Sequence, residues 1–173
     1  MGRFCLGNQQ VAELAALGVI HCARLFRPGH RGEYEDLIFL AITNFAEGER
    51  AVSPRQKILS YVTALELFFN ERSASTQAVV EGVAFLAGKR YTQRKAIMER
   101  IAEMYDLRSR VSHSGVAPEE IAVDRRIVLD MILRMISLRG SLKSKDDVRD
   151  WIDRQRFSAP GDTEEPGEST AGA

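Results

Sequence analysis

The chain has 173 residues, 45% of them hydrophobic, and its 24 Lys and Arg balance 24 Asp and Glu. That length suits one compact domain with a real core, and the zero net charge excludes a strongly basic nucleic-acid glove. The charge is uneven, however: Ser158 to Ala173 holds Asp162, Glu164, Glu165 and Glu168 and no Lys or Arg, leaving the preceding body four charges positive. A mildly basic body can hold an anionic ligand without demanding one.

Every long segment reads as helix. Asn8 caps a first one, with Val11, Leu14, Ala15, Gly18, Cys22 and Leu25 on one stripe. The turn-rich run Arg27-Pro28-Gly29-His30-Arg31-Gly32 ends it. A second carries Tyr34, Leu37, Ile38, Ala41 and Phe45 at helical spacing, and Gly48 and Ser53-Pro54 are expected to break it. Ser53 caps a third, with Pro54 at the first position, where its missing N–H is no loss. The stripe of this third helix is Ile58, Tyr61, Val62, Leu65, Phe68 and Phe69. A shorter helix spans roughly Ser75 to Ala87, closed by Gly88. Thr92 opens a fifth, which runs through Ile97, Ile101, Met104 and Tyr105 to about His113, with Ser114-Gly115 as its stop.

Pro118 is expected to open a sixth helix, whose apolar residues from Ile121 to Ile136 cover the broad arc of a central element. Ser144, with Asp147 three residues on, starts a last one through Val148, Trp151 and Ile152. No strand pattern competes. The expectation is an all-α bundle of about six to seven helices over residues 1–157, with 158–173 as a disordered acidic tail.

No window reaches the roughly 18 to 20 apolar residues of a membrane span. No basic leader with a small-residue cleavage site is read at the N-terminus, so a cytoplasmic protein without membrane partners is expected. Cys5, His21, Cys22 and His30 match no common zinc spacing, and no metal site is assigned to them. The glycine-rich nucleotide cradles and the serine elbow are absent, as are repeats at solenoid periods.

The richest stretch is Met104-Tyr105-Asp106-Leu107-Arg108-Ser109-Arg110-Val111-Ser112-His113-Ser114-Gly115. At about 100° per residue, Arg108 falls roughly 20° from Ile97, inside the stripe of Ile101, Met104 and Val111. A guanidinium aimed at a packed interface needs a partner, a subunit boundary or an anion. Two readings stand side by side. Arg108 is a buried ion-pair residue, with Glu66 as its partner; or it faces a cleft or dimer seam and grips phosphate bidentately. His113 is either a helix-end cap or a group that gives and takes a proton near neutrality. In an ideal helix the two differ by about 140°, so periodicity alone builds no active site from them.

The same stretch resembles the Tyr-x-x-Arg-Ser-x-x-x-His signature of the Apea-like branch of the HEPN superfamily. Thr63-Ala64-Leu65-Glu66-Leu67-Phe68 is similar to that branch's Ala-Leu-Glu helix. The likeness covers roughly residues 55–137, with one departure: Ser114 separates His113 from Gly115, where the branch has His-Gly.

The resemblance implies a helical bundle paired as a two-fold homodimer, in which Arg108 and His113 from two protomers meet in a composite cleft and Ser109 supports them. It implies a metal-independent endoribonuclease that needs no cofactor and leaves 2′,3′-cyclic phosphate ends. The setting would be a toxin–antitoxin or antiviral-defence system with its own partner protein. The alternative is a non-catalytic dimerisation, RNA-binding or sensor module, since other members of the superfamily have lost catalysis. Lys89, Arg90, Tyr91, Arg94 and Lys95 place four cations around one aromatic ahead of the motif. The cluster is read either as an RNA-backbone track with Tyr91 stacking on a base, or as an ordinary solvated helix start.

Overall fold

The structure, a computed structural model, describes residues 23, 25–27, 29, 31–69, 76–114 and 124–157. Among them are six α-helices and no strand. These are α1 (Glu33–Arg50), α2 (Pro54–Glu66), α3 (Thr76–Ala87), α4 (Tyr91–Ser114), α5 (Arg125–Leu138) and α6 (Lys145–Phe157). The expected helix before residue 23, the Cys5, His21, Cys22 and His30 set, Gly115, the Pro118 start and the acidic tail lie outside the described residues.

Three-residue links fold α2 back along α1 and α4 back along α3. The apolar arc of α5 then covers both pairs: it touches α1, α2 and α3 and buries Ile127, Val128, Met131, Ile132, Met135 and Leu138. The last helix, α6, closes against α3 through Val148 and Ile152. The fully buried Tyr34, Tyr61, Ile58, Leu65, Ile101 and Met131 form the centre of one continuous core.

Tyr34 shows how polar groups are accommodated there. Burial raises its phenol well above the ordinary range, so it stays a donor. It gives its proton to the Met135 carbonyl at 2.9 Å. That carbonyl is open because α5 tightens at its end, where Arg139 N–H bonds Ile136 O rather than the carbonyl of Met135.

Helix ends follow local chemistry, with three departures from expectation. Gly48 does not break α1, which continues to Arg50. A Cβ there would lie 2.6 Å from Tyr61 Cε1, so the glycine lets α1 and α2 approach closely. Ser53 precedes Pro54 as expected, but its hydroxyl makes no capping bond. Among the described residues α5 begins at Arg125, where Asp124 takes the cap and accepts from Arg126 N–H. The α6 start is reciprocal, as its Ser144 and Asp147 spacing predicts. Asp147 N–H donates to Ser144 Oγ, and Ser144 N–H donates to Asp147 Oδ2. Phe68 and Phe69 lie in the turn beyond α2 rather than on its stripe.

Ahead of α1, the chain turns through Gly29 in the left-handed region, at φ 78°. Arg31 pins that turn. It donates to the Leu25 carbonyl, pairs with Asp36 and lies 4.1 Å from the centre of the Phe39 ring.

Candidate functional site

Through Ser114, α4 runs as one uninterrupted helix, so Arg108 and His113 keep their separation around its axis. The structure does not bring them together within one chain. Ile101, Met104, Tyr105 and Val111 turn inward, as their spacing predicts. Arg108 does not follow them into the core, and its side chain is 42% exposed. A long stem lets the guanidinium leave an apolar stripe while its methylenes stay on it.

Arg108 reaches the C-terminal end of α2. Its Nη1 lies 3.4 Å from Glu66 Oε1, and its guanidinium carbon is 6.0 Å from the centre of the Tyr105 ring. The same Glu66 oxygen accepts the Tyr105 hydroxyl at 3.1 Å. Burial first, then the neighbouring Glu66 carboxylate, hold the Tyr105 phenol far above its ordinary range, while Arg108 pulls weakly the other way. Tyr105 is therefore a fixed donor to a carboxylate that also faces a cation. The three groups form one small network at the rim of the core, with Arg108 turned half into solvent. Ser109, Ser112 and His113 are exposed on the turns that follow, and His113 lies in the last turn of α4. Arg108 with Glu66 was one of two pairings open from the sequence. The Tyr105 hydroxyl had no sequence signal beyond its place at the edge of the stripe.

The basic cluster splits into two kinds of residue. Lys89, Arg90, Tyr91 and Lys95 are exposed, and Tyr91 is 79% accessible. Arg94 is half-buried and committed: its Nε donates to the Gly88 carbonyl at 3.0 Å, and its guanidinium stacks 4.3 Å from the centre of the Phe85 ring. Gln93 completes the corner, its Oε1 accepting the N–H groups of Lys89 and Arg90. The side chains of the first α4 turn thus tie down the link from α3. Lys95 is thirteen residues from Arg108, or about 20 Å along the helix at 1.5 Å per residue. The cluster and the Arg–His motif therefore occupy different stretches of α4.

Two arginines of α5 are engaged in the fold. Arg125 pairs with Glu49 at 3.1 Å, and Arg134 lies over the Trp151 ring. Among the described residues no three His, Cys, Asp or Glu side chains are grouped to hold a metal ion, and no helix is long and apolar enough to cross a membrane. The chain matches no protein-family model, and no curated protein or solved structure is detectably similar to it.

Proposed function

We propose that this protein is a HEPN-type endoribonuclease acting as a two-fold homodimer, with Arg108 and His113 as its catalytic pair. The observation that carries the reading is the presentation of Arg108. It is half-exposed yet oriented by Glu66 and Tyr105, and an exposed histidine follows on the same helix. A two-fold pairing of such helices would set residues from different faces into one cleft, which a single chain does not do.

The chemistry would begin with attack of a ribose 2′-OH on the adjacent phosphorus. His113 of one protomer takes the 2′ proton as general base, and the partner copy of the same histidine protonates the departing 5′ oxygen. Arg108 stabilises the negatively charged pentacoordinate phosphorus. The O–P bond to the 2′ oxygen forms, the P–O5′ bond breaks, and the products carry a 2′,3′-cyclic phosphate and a 5′-OH. Lys89, Arg90 and Lys95 would track the backbone further along α4, with Tyr91 as a stacking surface. A toxin or defence setting, with a protein partner that restrains the activity, belongs to the same proposal.

The test is cleavage of mixed single-stranded and structured RNA in EDTA, comparing wild type with His113→Ala. Cyclic-phosphate ends that disappear in the variant are the expected result. Cleavage that needs a divalent ion, or that survives His113→Ala, would overturn it.

A second reading is favoured by the Glu66 contact. Arg108 already has a carboxylate partner, as it would in a non-catalytic dimerisation, RNA-binding or sensor module. A folded, dimeric wild type that binds RNA without cutting it is the result that selects this reading.

A further inference from the structure

A cavity of about 220 Å³ lies between α3, α6 and the turn that follows α2. It is remote in sequence from the Arg–His motif, and the nuclease reading makes no use of it. Its inner walls are Phe68, Phe69 and Ile152, with Ala78 and Gly82 on the α3 side. Phe68 and Ile152 are buried. Phe69 is seated against α3 where Gly82 has no side chain; a Cβ there would lie 2.3 Å from Phe69 Cε1. The turn carrying these rings is also held from behind, with Phe69 N–H bonded to the Glu66 carbonyl. The space is therefore formed before anything enters it.

The mouth is different in character. Lys145, Arg149, Asp153 and Arg156 come from one face of α6, at helical spacing, and the two guanidinium groups at the rim are held in ion pairs with Asp146, Glu81 and Asp153. Arg149 is 52% exposed and contacts Asp146, itself 79% exposed, at 3.5 Å. A pair this exposed is weak, so an incoming anion can compete with Asp146 for the guanidinium. Arg156 bonds Glu81 of α3 and reaches Asp153 at 3.8 Å. Guanidinium groups beside an apolar recess suit a planar acid group, which they bond in a forked, charge-assisted manner.

Size narrows the occupant. An apolar cavity of about 150 Å³ accepts benzene, so this one admits a substituted ring or a small bicycle. Two phenylalanine walls favour a ring over a chain, because stacked and edge-on contacts add to the burial. We propose that this cavity binds a small aromatic acid, its ring against Phe68, Phe69 and Ile152 and its acid group at Arg149 and Arg156. The proposal is independent of the nuclease reading and of any pairing between chains.

Indole-3-acetate tests it, with its neutral twin indole-3-acetamide and with phenyl phosphate as the phosphate-bearing arm. Each is titrated into the full-length chain at low ionic strength, followed by calorimetry and amide chemical shifts. The acid is expected to bind about tenfold or more tightly than the amide, since only the acid makes a charge-assisted contact. The stronger of indole-3-acetate and phenyl phosphate identifies the acid group preferred. Arg149→Gln should weaken the acids and leave the amide unchanged. Ala78→Phe, which fills the recess, should abolish all binding while the helical circular dichroism is retained. Equal affinity for acid and amide, undiminished binding by both variants, or no binding of any probe at millimolar concentration would overturn the proposal.

Discussion

Replacing Arg108 with alanine separates an arginine that holds the bundle together from one the bundle holds in place. The ion pair with Glu66 has a 3.4 Å separation, with one partner 42% exposed and the other 17%. Fully exposed pairs contribute about 0.2 to 1 kcal/mol, whereas breaking a buried pair costs about 3 to 5 kcal/mol, because a charge is stranded in the core. The alanine variant does not strand Glu66, since the Tyr105 hydroxyl still donates to it at 3.1 Å. The expected loss is therefore about 1 kcal/mol, near the upper end of the exposed range. For a chain of this size that is roughly a 2 to 4 °C fall in Tm. Urea unfolding followed by circular dichroism reads it directly. Because half of the guanidinium faces water, the gap between wild type and variant should narrow in ~1 M salt, where the Debye length is about 3 Å. A double-mutant cycle with Glu66→Gln isolates the pairwise part. A loss of about 3 kcal/mol or more, insensitive to salt, would refute the reasoning and make Arg108 a structural residue. A small loss together with abolished RNA cleavage is what the catalytic proposal requires.

Three other outcomes follow from the packing and the caps. Tyr34→Phe keeps the ring but orphans the buried Met135 carbonyl; the loss should be about 1 to 3 kcal/mol in urea, with an unchanged slope. Gly82→Ala drives a methyl into Phe69 and should cost about 1 to 3 kcal/mol as overpacking, less in combination with Phe69→Leu; an equal cost in both backgrounds would argue against that contact. Asp147 is held below its ordinary value of 3.8 by N–H donors, first that of Lys143. Its contribution is thus fully present above that pH and is lost as pH falls through the lower folded value. Asp147→Asn should flatten the acid limb of an unfolding-versus-pH curve below about pH 4; a limb identical to wild type would remove Asp147 from the α6 cap.

The helical class and most of the core were legible because a 3.6-residue apolar period is written over long stretches of the chain. The stripe of Ile58, Tyr61, Val62 and Leu65 went inside as a set. Where the reading failed, a partner distant in sequence decided the outcome. Gly48 looked like a stop until Tyr61 of the next helix explained why a side chain is missing there. The α5 cap, Asp124, also meets Arg100 of α4 at 3.4 Å, a pairing that spacing does not announce. The angular position of Arg108 pointed it inward correctly as a backbone direction. Angle carries no information about a stem long enough to climb out toward Glu66. Arg94 was grouped with its neighbours by charge, although its hydrogen bond and ring contact belong to the α3 terminus. The cavity had no sequence signal at all, since its walls come from residues 68–69, 78–82 and 145–156 and only packing assembles them.

The corner between α3 and α4 has a thermodynamic consequence of its own. Gln93 gathers two backbone N–H groups and Arg94 takes the carbonyl of Gly88, so both ends of the link are fastened by side chains from one helical turn. Lys89, Arg90 and Tyr91 therefore project from a backbone that has already surrendered its freedom in the unbound protein. Fixing a residue's backbone costs roughly 1 to 2 kcal/mol, and a ligand docking here would not have to supply it again. Binding at this corner should be limited by the ordering of three exposed side chains and the release of counterions, with the loop itself acting as a rigid mount.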